Sequence, residues 1–527
     1  MSPAASRLAP AEVEAALARH PAVRRARVVA AAGAAAGAAA PALTAYVETT
    51  GLLAGAAEQA AHVERWRALW SDTYGSVPAA GAPPLELAGW ISSYTGRPIA
   101  GGEMREWVER LTERIAALSP RHLLELGCGM GLLLTRLAPL CAGYWATDFS
   151  AAALDHLGRT LAGSDLPVEL LRRPADDFSG LPAGRFDTVV LNSVVQYFPD
   201  LAYLRRVLAG VLGVAAPGAR VFLGDLRSLP LLAAFHASIL LQQADGATPL
   251  AEIRRRLTRR VAREGELLID PAFFCALQRE EPRIAAVEVQ LKRGRARNEL
   301  TRFRYDVVLT LAGGAAGGAA VPERWLNWRR EGLTPAALRR LLAGTAPRSL
   351  GVAGVPNARL RAEIEALELL GGSEPAVETV ADLQERLRRQ RGAAVEPEDL
   401  WALEGDLPYR VEIGWGRSAP DTFDAVLRRR EAVSGAAGHA AGAEDPAHPH
   451  DERSPDRIDG SPAADENPPA AVRYANQPCR GPAAEQLEAE LRRFLAENLP
   501  AALPPSSFVW VEPVDDAAGG EGPPPAG

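Results

Sequence analysis

The sequence predicts an α/β fold built on a mostly parallel sheet with helices on both faces. Three observations carry that expectation. Between Arg121 and about Leu311, short apolar runs alternate with helical stretches, as strands buried on both faces require. The first run leads into a glycine-rich loop, ELGCGMG (Glu125 to Gly131), which a helix-like run follows. The second run ends in ATD, which puts Asp148 at a strand's carboxyl end, 21 residues past Gly127.

The elements follow from pattern. In AEVEAALARHPAVRRARVVA, Val13, Ala16 and Leu17 share one helical face, His20-Pro21 ends the helix, and a strand comes next. LTAYVE adds a second strand, so residues 1–50 form a helix-plus-strands piece with too little core to fold alone. Residues 60–119 read as helices, with Trp66, Leu69 and Trp70 on one face and an amphipathic EMREWVERLTERIAAL. The polar-aromatic loop ISSYTGRPI lies between them. The central segment, 120–312, offers the strands HLLELG, YWATD, VELLRR, FDTVVLN, ARVFLGD, VEVQLK and YDVVLTL. The last two nearly adjoin, which predicts a reversed edge strand. Residues 313–432 form an accessory α/β segment, in which Thr334-Pro335 supplies an N-cap and a first-turn proline. Residues 433–475 have few apolar anchors and read as a disordered linker. Residues 476–514 read as helix, proline turn and strand, and 515–527 as a disordered tail.

Composition narrows the function. A chain of 527 residues, 47% of them hydrophobic, is expected to hold two or more domains. The net charge of -7 argues against nucleic acid as the main partner. No run has the length and apolarity of a membrane span, and the start lacks a secretory leader pattern. Cys128, Cys141, Cys275 and Cys479 form no CxxC pair and the eight histidines are scattered, so the expectation is a reduced, cytoplasmic protein with no metal site. Lys292 is the only lysine.

The glycines Gly127, Gly129 and Gly131 run GxGxG, where dinucleotide enzymes space them GxGxxG. Asp148 suits the two hydroxyls of a ribose. The third strand leads into PADDFSGL, where Asp176 or Asp177 can accept from an adenine amine and Phe149 or Phe178 can cover the ring. The fourth ends NSVVQYFP, putting Asn192 and Tyr197 at the cleft mouth beyond the strand ends.

These residues resemble the class I S-adenosylmethionine-dependent methyltransferases, whose fold is Rossmann-like. Glu125, within ELGCGMG, joins the cofactor-binding set on that resemblance. SSYTGRPI, NSVVQYFP, LPLLAAFHAS, LLIDPAFF, NELTRFRYDVVL, WLNWRREGLTPAALRRLL and GVAGVPNARL are similar to the N-methyltransferase domains inserted in nonribosomal peptide synthetases. The two ends look like pieces of the small C-terminal subdomain of an adenylation domain, split by the insertion. The sequence departs from a full module: it shows no large adenylation domain, no NGK-type lysine and no GGxS-like carrier segment, so adenylation by this chain is not expected.

The resemblance implies S-adenosylmethionine as cofactor and a carrier protein bearing a phosphopantetheine-bound amino acid as partner, with a separate adenylation enzyme as a further one. The implied reaction is N-methylation of the α-amine. O-methylation, a free small-molecule acceptor, and a non-catalytic docking subunit remain alternatives. An α-amine has an unperturbed pKa of about 7.7 to 8.0, so an acceptor that orients it suffices. Asn298 or Glu299 is a candidate for that role, Tyr197 for bounding the methyl pocket, His236 for a catalytic group, and Tyr94 for closing over the cofactor. Two basic runs, IRRRLTRRVAR and KRGRARNELTRFR, are solvated faces or a landing site for an acidic carrier.

Overall fold

The computed structural model describes residues 10–30, 43–49, 56–75, 89–313, 322–372, 377–389, 393–430, 474–476, 478, 481–499, 505 and 507–511. Strands β1 (Val23–Ala30) and β2 (Leu43–Thr49) pair antiparallel. Helix Pro10–Leu17 buries Val13, Ala16 and Leu17 against Leu487, Leu491 and Leu495 of helix Gly481–Asn498. The two ends of the chain thus share one small core.

Among the described residues the large sheet has eleven strands. They are β3 (His122–Leu126), β4 (Gly143–Asp148), β5 (Val168–Arg172), β6 (Phe186–Asn192), β7 (Ala215–Arg227), β8 (Ile284–Leu291), β9 (Arg304–Leu311), β10 (Trp325–Asn327), β11 (Ser349–Pro356), β12 (Tyr409–Trp415) and β13 (Thr422–Arg429). Their order is β10-β11-β13-β12-β8-β9-β7-β6-β3-β4-β5. The remaining strand, β14 (Ser507–Val511), lies parallel to β2 and completes the small three-stranded sheet.

Side-chain alternation along the strands builds a core on each face of the large sheet. Leu124, Val189, Leu191, Val221 and Leu223 face helix Leu201–Val214 on one side. Leu123, Val190 and Phe222 face helix Gly101–Ala116 on the other, which buries Met104, Trp107, Val108, Leu111 and Ile115. The expected amphipathic stripe is therefore present.

The expected edge strand needs correction. The reversed strand is β9, antiparallel to both β7 and β8, and it is interior. The accessory segment extends the sheet past β8, through a β12 contact at Gly414 and Gln290. Gly414 permits that approach, since a Cβ there would stand 3.0 Å from the Val289 carbonyl oxygen. On the helix face that Trp66, Leu69 and Trp70 share, the two tryptophans are half-buried and the Leu69 side chain is exposed.

Tyr474 and Ala475, assigned above to the linker, instead dock on the sheet's flank. Ala475 bridges Ile269, and Asp270 N–H donates to the Tyr474 carbonyl at 2.7 Å. Asn476 accepts from Leu268 N–H and donates to the Glu266 carbonyl, each at 2.7 Å. The rest of the expected linker, 433–473, and the expected tail, 515–527, lie outside the described residues. Among the described residues no helix is long and apolar enough to cross a membrane.

Candidate active site

A cavity of about 260 Å³ opens at the carboxyl ends of β3, β4 and β6. The loop after β3 forms its floor because Gly127 N–H and Cys128 N–H both donate to the Thr147 carbonyl, at 2.8 and 2.9 Å. All three glycines have left-handed φ (79°, 50° and 82°), which favours glycine there. Gly127 and Gly129 line the cavity. Gly131 instead packs under Leu157, whose Cδ2 would lie 2.3 Å from an added Cβ.

Asp148 lines the same wall, 7% exposed. Its Oδ2 accepts from Gly129 N–H at 2.9 Å and its Oδ1 from Ser150 N–H at 2.8 Å. Burial raises its pKa, and the backbone donors offset part of that rise. Glu125 lies deeper. Burial pushes it up to about 7, although the Tyr144 hydroxyl donates to it at 2.6 Å. Phe149, Asn192 and Tyr197 also line the cavity.

Other predicted residues lie elsewhere. Past β5 the cavity wall is made by Arg173, Pro174 and Ala175, and the chain then turns away. Asp176 hydrogen-bonds the Tyr203 side chain, Asp177 accepts from Ser179 N–H and Oγ, and Phe178 packs on Gly210. Tyr94 is absent from the wall because its hydroxyl pairs with Ser238 at 2.7 Å and its ring lies under Arg302; its neighbour Ser93 takes that place. Asn298 is the N-cap of helix Glu299–Phe303, accepting from Leu300 and Thr301 N–H and donating to Glu103. It orients the helix and lines neither this cavity nor the next one. Glu299, presented by that helix, does reach the cavity, and accepts from Ser93 N–H at 2.9 Å, Ser93 Oγ at 2.7 Å and Ser92 Oγ at 3.2 Å.

Several wall residues escaped the sequence reading. Helix Ala56–Gly75 contributes Trp66, Trp70 and Tyr74 at helical spacing, and the Trp66 ring lies 4.5 Å from that of Tyr197. Glu266 accepts from Arg227 at 2.9 Å, and among the described residues its other oxygen takes no hydrogen bond. Ser193 and Asp225 have left-handed φ, 56° and 64°, which costs non-glycine residues roughly 1–3 kcal/mol each. They support each other: Ser193 Oγ donates to Asp225 at 3.0 Å, and Arg304 pairs with the same carboxylate. Lys292 lies behind them, 2.8 Å from Asp306 and 3.6 Å from Asp225.

Residues 124–221 match the family described as "Methyltransferase domain". Chondramide synthase of Chondromyces crocatus is 40% identical over 512 residues, which are 94% of this chain and 12% of that protein. The beauvericin nonribosomal cyclodepsipeptide synthetase of Beauveria bassiana is 30% identical over 467 residues, 81% of this chain and 14% of that protein. This chain carries a methyltransferase domain of the nonribosomal peptide synthetase kind. It spans less than a sixth of either relative's length. Among solved structures, the N-methyltransferase NodS of Bradyrhizobium japonicum, in complex with S-adenosyl-L-homocysteine, is 16% identical, with a TM-score of 0.27. It matches 38% of this chain and 86% of its own.

The methyltransferase domain's cofactor is S-adenosylmethionine, and the cleft fits it. Asp148 offers a carboxylate to hydroxyl donors. Gly129 leaves room that a side chain would fill, since an added Cβ would lie 2.9 Å from the Tyr74 hydroxyl. Asn192 Oδ1 is buried in the wall with no hydrogen-bond partner. The rings of Trp66, Trp70 and Tyr197 suit a cationic sulfonium.

The methyltransferase cavity adjoins a second of about 210 Å³, and the two share Ser93, Glu266, Glu299 and Arg304 as lining residues. The second is strongly ionic. Arg227 pairs with Glu264 and Glu266, both at 2.9 Å. Burial raises the Glu264 pKa, but His236 and Arg227 outweigh it and hold that carboxyl at about 2. His236 lines this second cavity and bonds Glu264 at 3.0 Å; it does not line the cofactor cavity.

Proposed function

We propose that this domain transfers a methyl group to the α-amine of an aminoacyl group held as a thioester on a carrier protein. The observation that carries the reading is the shared wall: Glu266 and Glu299 face the cofactor cavity and the second cavity alike. An acceptor entering through the second cavity meets two carboxylates where it meets the cofactor. The relatives' names supply the nonribosomal peptide setting, and the flanking small core supports the reading of its halves as a split adenylation-type subdomain.

When bound, S-adenosylmethionine supplies an electrophilic methyl on sulfur. The amine nitrogen forms the new C–N bond, the C–S pair leaves with sulfur, and one amine proton must go to an acceptor. Alignment dominates such a displacement. Glu266 has an oxygen free of donors among the described residues, so it orients the neutral amine and takes the proton. Glu299, already holding the Ser92–Ser93 loop, fixes the other side of the entrance. Tyr197, braced by Trp66 and Trp70, bounds the methyl's position.

The test loads carrier proteins with a panel of amino acids, adds protein and cofactor, and reads the mass and fragment position of the product. A methyl on the α-nitrogen is expected, slowed by Glu266→Gln with cofactor affinity retained. A methyl found only on side-chain oxygen, or only on free small molecules, overturns the reading.

A further inference from the structure

The second cavity adjoins a third, and His236, Arg260 and Glu264 line both. The third is a wide mouth of about 450 Å³. Arg256, Arg259, Arg260 and Arg263 line it, spaced i, i+3, i+4 and i+7, which places them on one side of the helix Leu250–Ala262 and its C-cap.

Charge is distributed unevenly along this series. Inside, Arg227 and Arg304 are neutralised by Glu264, Glu266 and Asp225. At the mouth, Arg256 pairs with Glu252 and Arg263 also has a partner, while Arg259 and Arg260 have no acidic partner among the described residues. Arginines near a helix C-terminus are favourable and commonly only solvated. Solvation alone gives no reason for four of them to line the outermost of three adjoining cavities, the innermost of which is the cofactor cavity. Such a series fits a long acceptor that is reactive at its inner end, neutral in the middle and anionic at its outer end. Guanidinium groups are the side chains best matched to phosphate oxygens.

We propose that Arg256, Arg259, Arg260 and Arg263 bind the phosphodiester of a phosphopantetheine arm, whose pantetheine portion lies in the second cavity and whose aminoacyl end reaches Glu266. This rests on the function proposed above.

The experiment uses the full chain and three acceptors with one amino acid: the aminoacyl thioesters of pantetheine, of 4′-phosphopantetheine and of the carrier protein. The readout is the ratio of kcat/KM for phosphopantetheine over pantetheine. It should be roughly tenfold or more in the wild type and fall towards one in Arg256→Gln/Arg259→Gln. A parallel fluorescence titration with unloaded 4′-phosphopantetheine and pantetheine should show the same phosphate preference and the same loss. An equal loss for all three acceptors overturns the phosphate site. A loss confined to the carrier protein overturns it in favour of docking to the carrier's acidic surface. If the wild type methylates no thioester yet still prefers phosphopantetheine in the titration, the transfer reading fails and the phosphate site stands. No preference in either measurement overturns the site.

Discussion

Replacing Glu125 with glutamine should make the protein more stable at pH 8 and leave it unchanged near pH 4. Glu125 is 3% exposed, and burial pushes its carboxyl from 4.5 up to about 7. A folded-state pKa above the unfolded value means that the folded state favours the protonated form. The associated stability is complete below pH 4.5 and is lost as pH rises through 7. At 1.36 kcal/mol per pH unit, the displacement from 4.5 to about 7 is worth ~3 kcal/mol. Glutamine has nearly the same shape, and its carbonyl can accept the Tyr144 hydroxyl hydrogen bond. The stability difference between variant and wild type should therefore grow across pH 4.5 to 7 and level off at ~3 kcal/mol above it. Urea unfolding of the full chain, followed by tryptophan fluorescence at half-unit pH steps, measures this directly. A difference that stays flat from pH 4 to 8 would refute the reasoning. Because Glu125 lines the cofactor cavity, a bound sulfonium should favour its ionised form, so cofactor affinity should rise with pH through about 7 in the wild type and not in the variant.

Three further outcomes are expected. Gly129→Ala puts a Cβ 2.9 Å from the Tyr74 hydroxyl on a backbone with φ of 50°; calorimetry should show cofactor affinity down by roughly tenfold or more, whereas Gly213→Ala, in open space, leaves it unchanged. Asp148→Asn should cost ~1.5–3 kcal/mol of cofactor binding by the same assay, through loss of charge-assisted bonds to the ribose. Lys292→Met leaves the buried Asp306 and Asp225 short of a cation and should destabilise the fold by ~3–5 kcal/mol, seen as a lowered urea midpoint, with Arg114 alone still paired to Asp306.

The parallel half of the sheet, β5-β4-β3-β6-β7, was legible because its strands are buried on both faces, which leaves apolar runs such as VVL in β6 and VFL in β7; the other half, from β9 outwards, is mainly antiparallel and was not expected. The glycine loop was legible because its left-handed φ restricts residue choice there, and Asp148 because it closes the strand that follows the loop. The position of β9 was not, since two strands that nearly adjoin in sequence do not reveal that the second inserts between the first and β7 and pairs antiparallel with both. Asn298 shows the limit at the site. An asparagine before a short helix reads as well for a cap as for a ligand, and the Leu300 and Thr301 N–H groups decide it. Asp176 and Asp177 adjoin the wall residue Ala175 in sequence, but their side chains are engaged by Tyr203 and Ser179, which the sequence did not reveal. Glu266 had only a faint signal, an acid between Glu264 and the apolar LLID, and its role follows from packing distant in sequence.

The docking of Tyr474 to Asn476 sets a length scale. Helix Gly481–Asn498 of the small core begins five residues after Asn476, and five residues of extended chain reach at most about 18 Å. The small core is therefore on a short leash, fastened beside the strip that carries Glu266. A larger excursion has to peel Asn476 from Leu268 N–H and the Glu266 carbonyl first, which frees part of the acceptor wall. For anyone transplanting this domain, a cut after Arg430 would keep all the sheet's strands and still discard the clamp. A boundary drawn past Asn476 keeps the wall and its fastening together.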